Sequence, residues 1–228
     1  MKKWKYIIIT VVILFLLGAG YYLKRKYYDP KTRLNNANEE ITALVDQNNI
    51  KEGDIIFQSL NSKQCQAIKD ATKSKYTHCG IIFKNGNEFL VYEAVQPVKI
   101  TPLNKWIARG NDEHYVIKRL NNASEVLNSE IVKNMKSEAE SFVGKNYDIY
   151  FGWSDDKIYC SELVWKIYKD AANIEVGKLK KLKDFDLSGD EVKRIMSERY
   201  GSNIPYNEDV ISPADIYDSE LLYTVKSN

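Results

Sequence analysis

The sequence contains few of the residues that build disulfide frameworks and metal sites. Its 228 residues include three cysteines, Cys65, Cys79 and Cys160, and two histidines, His78 and His114. Three cysteines are too few for a disulfide framework, although a bond between Cys65 and Cys79 outside the cytoplasm would leave Cys160 free. No two cysteines have the close spacing of zinc ligands. We therefore predict neither a metal nor another cofactor.

Acidic residues are absent from the first 26 positions, which hold six basic residues. Since the net charge of the whole chain is +2, the remainder carries a net charge of −4. A mildly acidic globular part lacks the basic patch that marks nucleic-acid binding, so nucleic acid is not an expected partner. A hydrophobic content of 44% argues against general disorder.

One long apolar run, residues 6–23, contains no charged side chain. As a helix it would span about 27 Å, close to the ~30 Å hydrocarbon core of a bilayer. Trp4, Tyr21 and Tyr22 lie at its ends, where interfacial aromatic residues are common. We predict that residues 1–26 form a membrane anchor, with the rest of the chain outside the cytoplasm. The alternative is a signal peptide cleaved near residues 18–20, followed by secretion.

The remaining chain alternates short apolar runs with helical patterns, which indicates an α+β domain. Residues 27–50 are polar and include a short helical signal at 39–46, so we interpret them as a tether and lead-in helix. The domain proper is predicted to cover residues 51–228. It begins with a buried strand at 53–57 and includes a helix capped by Ser62, a helix over 125–143 and a terminal strand at 221–225.

Cys160 begins an amphipathic helix over residues 160–172. Leu163, Val164 and Ile167 share one face, and Glu162 and Lys166 belong to the face predicted to meet solvent. A thiol at a helix N-terminus experiences the positive end of the helix dipole, which favours the thiolate. The alternative is a small buried cysteine that only packs.

A β-hairpin over residues 77–95 supplies a base and a carboxylate. Asn85 and Gly86 form the preferred two-residue type I′ loop, which would pair Lys84 with Asn87 and Ile82 with Phe89. The same register sets His78 directly opposite Glu93. Opposed residues have Cβ atoms about 5 Å apart on one sheet face. Either residue alone fits a purely structural role.

Nucleophilic catalysis by cysteine requires a base and a group that orients the base. Cys160, His78 and Glu93 supply these three functions from two separate parts of the sequence. We therefore predict a Cys160–His78–Glu93 triad.

Several motifs resemble those of YiiX-like hydrolases, a circularly permuted branch of the NlpC-type cysteine peptidases related to papain and to lecithin retinol acyltransferase. The resemblance covers about residues 50–226, and YCSELV is its most specific motif. The motifs are GDIIF (53–57), THCGIIF (77–83), VYEAV (91–95), GKNYDIYF (144–151), YCSELVWKIY (159–168) and ISPADIY (211–217).

The resemblance implies a permuted papain-like fold, an antiparallel sheet packed by helices, in which histidine and acid precede cysteine. It implies that Cys160 is the nucleophile, His78 the general base and acid, and Glu93 the orienting residue. Tyr159, with Tyr147 as a second candidate, would help to bind the oxyanion. The chain departs from its relatives at Cys79, where an aliphatic residue is common. Strand alternation is expected to turn Cys79 away from the site.

The expected function is amide hydrolysis by a membrane-anchored cysteine enzyme, on peptidoglycan stem peptides or related peptides. A lipid amide or ester hydrolase or acyltransferase is the alternative that the acyltransferase relatives suggest. A third possibility is a membrane-tethered binding module without catalysis. The sequence does not indicate an oligomeric state.

Overall fold

Helices cover both faces of an antiparallel sheet in the computed structural model, which describes residues 2–28 and 30–228. The helices are α1 (Lys2–Tyr28), α2 (Pro30–Asp46), α3 (Lys63–Thr72), α4 (Leu103–Arg109), α5 (Ala123–Val126), α6 (Ser129–Phe142), α7 (Cys160–Ala172), α8 (Asp190–Tyr200) and α9 (Pro213–Tyr217). The strands are β1 (Ile55–Gln58), β2 (His78–Asn85), β3 (Glu88–Glu93), β4 (Lys99–Pro102), β5 (Tyr115–Leu120), β6 (Asn146–Tyr147), β7 (Lys157–Ile158), β8 (Lys180–Lys181), β9 (Asp209–Val210) and β10 (Leu222–Ser227). Short 3₁₀ turns span Asn111–Glu113 and Leu182–Asp184.

The main sheet has the strand order β10-β5-β1-β2-β3-β4, and each neighbouring pair is antiparallel. Alternate residues of each strand point to opposite faces, so the sheet separates two hydrophobic cores. One core packs the sheet against α6, α7 and α8. The other packs it against α2 and α4. The predicted α+β fold with an antiparallel sheet and covering helices is confirmed.

The N-terminal helix α1 contains the apolar run. Residues 6–24 are long and apolar enough to cross a membrane, and they are exposed along their length. Such a helix near the N-terminus is a candidate anchor or signal sequence. The predicted anchor includes Met1 and the predicted tether includes Asp29, and these two residues lie outside the described residues.

Helix α2 is longer than the sequence indicated. The apolar signal was confined to residues 39–46, but the helix begins at Pro30 and buries Ala37 and Leu44 fully against the second core. Asn38 accepts a hydrogen bond from Asn104 of α4 at 2.8 Å. Within the segment interpreted as a tether and lead-in helix, α2 therefore packs on the domain. The polar residues of α2 form hydrogen bonds with α4 and the turn after it. In the sequence they resembled solvent-exposed residues, so this packing was not predicted.

Leu44→Ala is expected to lower the free energy of unfolding by about 3 kcal/mol, because it leaves a cavity under the sheet. Val45→Ala is the matched control on the same helix, since Val45 is exposed and its truncation should change stability by less than about 0.5 kcal/mol. Urea unfolding of the full-length protein followed by fluorescence measures both. Equal stability of the two variants would show that α2 does not contribute to the folded domain.

The helix predicted over residues 125–143 is interrupted. Helix α5 ends at Val126, and α6 starts after Asn128, whose side chain accepts hydrogen bonds from the backbone N–H groups of Glu130 and Ile131, both at 3.0 Å. This N-cap satisfies donors that a new helix start leaves unpaired, so it favours a second helix over a continuous one.

Candidate active site

Cys160 is the first residue of α7 and is almost fully buried. The carboxylate of Glu162 accepts a hydrogen bond from the backbone N–H of Tyr159 at 3.3 Å, which ties the first turn together. The Ser161 hydroxyl donates to the carbonyl oxygen of Ile211 at 2.8 Å. These contacts hold the start of the helix, and with it the thiol, against the chain that follows β9.

The first part of the polar side of α7 is buried, which corrects the expectation that the whole side meets solvent. Ser161, Glu162 and Lys166 are at most 7% exposed, whereas Lys169 is half-buried and Asp170 is exposed. Lys166 bonds to Glu162 at 2.9 Å and to Asp155 at 2.7 Å, because the loop between β6 and β7 folds over this side of the helix. Burial raises the pKa of Glu162 to about 7, against the opposing influence of Lys166. Helical periodicity identified the polar residues but could not show that a loop covers them.

The hairpin has a register two residues away from the predicted one. Asn85 pairs with Glu88, so the loop consists of Gly86 and Asn87. Gly86 has a φ of 59°, which suits the first position of a type II′ turn, where glycine is favoured. Lys84 accordingly pairs with Phe89. The type I′ loop at Asn85 and Gly86 was therefore wrong.

The contact between histidine and acid survives this shift because side chains alternate with a period of two. His78 and Glu93 stay on one face, and His78 Nε2 lies 2.6 Å from Glu93 Oε2. The two residues are diagonal neighbours, since one further step along the ladder sets Gly80 opposite Glu93. A Cβ on Gly80 would lie 2.5 Å from Val91 Cγ1 and 3.5 Å from Glu93 Cβ. Because Gly80 has no side chain, nothing at this position blocks the contact between His78 and Glu93.

Glu93 is fully buried and accepts hydrogen bonds from four side chains. Besides His78, these are Thr101 Oγ1 at 2.6 Å, Trp106 Nε1 at 3.1 Å, and Arg109, whose Nη1 and Nη2 lie at 3.0 and 2.5 Å. The Trp106 ring also stacks on His78, with centroids 5.9 Å apart. Sequence analysis did not predict these hydrogen bonds to Glu93. The one sequence feature that could have indicated them is the spacing of Trp106 and Arg109, three residues apart on α4.

Charges in the site favour an ion pair between thiolate and imidazolium. Burial alone would lower the pKa of His78, but its bonds to Cys160 and Glu93 raise it to about 9. Burial would likewise raise the pKa of Glu93, yet His78 and Arg109 hold it well below its ordinary value. Glu93 is therefore an anion that accepts the Nε2 proton of His78, and only Nδ1 remains to face the thiol. The pKa of Cys160 is well below its ordinary value, through bonding to Cys79 and to His78.

Cys79 contacts the candidate nucleophile, contrary to the expectation that it points away. Cys79 and Cys160 are buried in the same core cluster, and the neighbouring Cys79 lowers the pKa of Cys160. Strand alternation does separate Cys79 from His78, but α7 packs on the Cys79 face and brings Cys160 to it. Burial and the neighbouring Cys160 raise the pKa of Cys79, so it remains a protonated donor. The two faces of β2 therefore both contribute to the site.

Cys79→Ala is expected to raise the pKa of Cys160, because hydrogen bonding from Cys79 is the largest influence that lowers it. The rate of alkylation by iodoacetamide as a function of pH reports this value, since the thiolate is the reactive form. The midpoint of the profile should move to higher pH, while a Cys65→Ala control should leave it in place. An unchanged midpoint in Cys79→Ala would show that Cys79 only packs.

Comparison with known proteins identifies the family of this chain. The model of a family described as permuted papain-like amidases, YaeF/YiiX, C92 family, matches residues 49–226. The chain belongs to this family. A permuted papain-like amidase is a cysteine-type amidase or peptidase, so the chain is an enzyme of this kind.

Two similar proteins come from Escherichia coli. The uncharacterized protein YiiX of strain K12 is 45% identical over 173 residues, which cover 76% of this chain and 84% of YiiX. A crystal structure of YiiX from strain O157:H7, described as a metalloprotein, is 44% identical with a TM-score of 0.74 and covers 78% of this chain and 97% of that one. In this permuted papain-like amidase, residues 2–28 and 30–228 include no group of three His, Cys, Asp or Glu that could hold a metal ion.

Both tyrosines predicted to support the oxyanion lie beside the amidase site. The Tyr159 hydroxyl accepts a hydrogen bond from the backbone N–H of Ile211 at 3.1 Å. The Tyr147 hydroxyl accepts one from Gln64 Nε2 at 3.1 Å. Burial raises the pKa of both, and the next influence is the charge of Cys160 for Tyr147 but that of Glu162 for Tyr159. Each keeps its proton to donate, and the charge of Cys160 contributes to the raised pKa of both.

The remaining predictions concern a disulfide and the second histidine. All three cysteines of the amidase are free thiols, so Cys65 and Cys79 do not form the bond that the sequence allowed. His114 is bonded through Nδ1 to the carbonyl oxygen of Asn228 at 2.7 Å and stacks near Tyr76. This placement leaves His78 as the histidine next to Cys160.

Proposed function

We propose that this protein is a membrane-anchored cysteine hydrolase that cleaves amide bonds through an acyl-enzyme on Cys160. The observation that carries the proposal is the buried pair of His78 and Glu93, 2.6 Å apart, next to the buried thiol at the start of α7. A purely structural role would not require a thiol with a lowered pKa beside an imidazole with a raised one.

Acylation begins when the Cys160 thiolate attacks the carbonyl carbon of the substrate. A carbon–sulfur bond forms and the carbonyl electrons move onto oxygen, which the Cys160 backbone N–H and a tyrosine hydroxyl stabilise. Tyr159 and Tyr147 are the two candidate donors, since both line the cavity beside Cys160. When the oxyanion collapses, the carbon–nitrogen bond breaks and imidazolium His78 gives its Nδ1 proton to the departing amine.

Deacylation uses the same groups in reverse. Neutral His78 takes a proton from water as the water oxygen attacks the thioester, and the thiolate leaves to restore the ion pair. Glu93 keeps the proton on Nε2 of His78 throughout, so the ring always presents Nδ1 to the reacting atoms. An amine or alcohol in place of water would make the reaction an acyl transfer.

The N-terminal helix supports a membrane location for this chemistry. We propose that α1 remains as a single-pass anchor and that the hydrolase domain lies outside the cytoplasm. Secretion after signal cleavage is the alternative, which N-terminal sequencing of the mature protein tests. Residues 180–183 contribute lysines that would face an anionic surface, although two of them bond to nearby acids.

The sequence-based proposal for the substrate is a peptidoglycan stem peptide or a related peptide amide. The second candidate is a lipid amide or ester, which is favoured by an apolar cavity next to Cys160. Incubation of the full-length protein with purified peptidoglycan and, separately, with N-acyl lipids tests both through the release of new amines. We expect amine release from at least one of them, and none with either substrate would contradict the proposal.

A non-catalytic binding module is the rival function. It predicts that Cys160 reacts with iodoacetamide at neutral pH no faster than an ordinary thiol. The proposed hydrolase predicts rapid and selective labelling of Cys160, detected by peptide mass spectrometry.

A further inference from the structure

Gln58 is the last residue of β1, and its side chain is fully buried. Among residues 2–28 and 30–228, neither Nε2 nor Oε1 of its amide has a hydrogen-bond partner. Buried amides are paired as a rule, because an unpaired one loses its hydration without compensation. A buried amide that the fold leaves unpaired is therefore a candidate to bind a molecule that enters during the reaction.

Strand pairing sets Gln58 beside His78. The two residues lie directly opposite each other on β1 and β2, so their side chains share a sheet face with Cβ atoms about 5 Å apart. His78 Nε2 bonds to Glu93 on β3, which is the other neighbour of β2. The opposite edge of the imidazole ring carries Nδ1, and this edge is therefore turned toward β1. Gln58 thus lies on the side of His78 from which Nδ1 acts.

The residue after α4 confines the Gln58 amide to this place. A Cβ added to Gly110 would lie only 2.5 Å from Gln58 Oε1, so the amide packs directly against the Gly110 backbone. An amide can both donate and accept hydrogen bonds, and it stays uncharged when a neighbouring imidazole gains or loses a proton. Gln58 is therefore a fixed, neutral polar group on the Nδ1 side of His78.

We propose that Gln58 is a further catalytic residue, which holds the water that hydrolyses the acyl-enzyme. The proposal rests on the proposed amidase function and deepens its second step. The water oxygen forms a bond to the thioester carbon while one water proton moves to Nδ1 of neutral His78. The carbon–sulfur bond then breaks, and its electron pair restores the Cys160 thiolate. Gln58 exchanges no proton, and its hydrogen bond to the water fixes the direction of attack.

Single-turnover reaction of the full-length protein with p-nitrophenyl acetate separates the two steps. Release of p-nitrophenolate reports acylation of Cys160, and loss of the acetyl group from the intact protein, followed by mass spectrometry, reports deacylation. Gln58→Met replaces the amide by an apolar side chain of similar length. We expect unchanged acylation and deacylation slowed about 10²-fold, because misplacement of a reacting group by about 1 Å costs this factor.

Two further variants accompany this measurement. Gln66→Met makes the same change at an exposed position on α3 and should match the wild type. Gly110→Ala displaces the Gln58 amide without removing it, so it should slow deacylation in the same way. A wild-type rate of deacylation in Gln58→Met, or equal slowing of both steps, would overturn the role of Gln58 and leave the amidase function standing. A wild-type protein that is not acetylated on Cys160 would overturn the proposed function itself.

Stability distinguishes a catalytic amide from a structural one. A water that bridges Gln58 to Arg109, whose Nε is also unpaired among the described residues, would make the amide part of the folded framework. Gln58→Met would then unfold at a lower urea concentration than the wild type and deacylate at the wild-type rate, which would overturn the proposal. A catalytic amide predicts slow deacylation with an unfolding midpoint at or above that of the wild type, because methionine removes an unpaired buried polar group.

Discussion

Replacing Cys160 by alanine is expected to abolish amide hydrolysis, with a loss of kcat of about 10⁴-fold or more. The variant lacks the atom that forms the acyl-enzyme, and no neighbouring group replaces it, because Cys79 stays protonated under the influence of burial. Loss of a nucleophile in a hydrolase with a comparable triad costs about 10⁶-fold in kcat. Amine release from whichever of the two substrate classes the wild-type protein cleaves measures the effect.

Cys65→Ala is the matched control for this experiment. Cys65 is also a buried free thiol, but it lies on α3 outside the triad. The control should keep wild-type activity, and the Cys160 variant should still unfold in one cooperative transition, because alanine fits in the space of the thiol. Substantial hydrolysis by Cys160→Ala would exclude the acyl-enzyme mechanism.

Glu93→Gln is expected to have the second largest effect, lowering kcat by about 10³–10⁴-fold, as for an orienting carboxylate in other triads. A glutamine can offer its N–H group to His78 Nε2, which favours the wrong tautomer and removes the charge that stabilises the imidazolium. The sequence alone suggested little effect on folding. The structure changes that expectation, because Glu93 also accepts bonds from Trp106 and Arg109. Loss of one partner of such a buried pair costs about 3 kcal/mol, or about 6–12 °C in Tm.

The pH dependence of stability distinguishes this effect from general damage. The pKa of folded Glu93 lies below its ordinary value of 4.5. Its contribution to stability is therefore fully present above about pH 4.5 and is lost as the pH falls below that value. The difference in unfolding free energy between the wild type and Glu93→Gln should shrink on acidification. Glu88→Gln, at the exposed end of the same strand, should match the wild type at every pH. A constant difference for Glu93→Gln would contradict the ionised, bonded state of Glu93.

The contact between His78 and Glu93 shows how a partly wrong local prediction can lead to a correct pair. The loop was placed one residue too early, which moved the register by two residues. Because the side-chain period of a strand is also two, both residues stayed on one face. A shift of one residue would have separated them. Sequence could therefore predict the shared face, whereas the diagonal geometry depended on Gly80 and on the turn.

The position of Cys79 and the hydrogen bonds to Glu93 show which parts of the site local sequence patterns could not predict. Alternation along β2 correctly assigned Cys79 and His78 to opposite faces of the sheet. It could not show which of these faces the start of α7 would contact. Trp106 and Arg109 come from a short helix that follows β4, and their bonds to Glu93 depend on how α4 packs on the sheet. The polar first half of α2 likewise concealed the burial of Ala37, because hydrogen bonds to α4 are not encoded in a local period.

By itself the sequence determined the apolar N-terminal helix, the α+β class, the helix-start cysteine, and a histidine and an acid on a common strand face. These depend on composition, periodicity and turn residues within short segments. Only the tertiary structure decided that Cys79 and Arg109 lie at the candidate site, that Glu162 and Lys166 on the polar face of α7 are covered, and that an apolar cavity adjoins Cys160. Those features are contacts between segments distant in the chain, and the free energy that selects among such contacts comes from packing and burial of the whole domain.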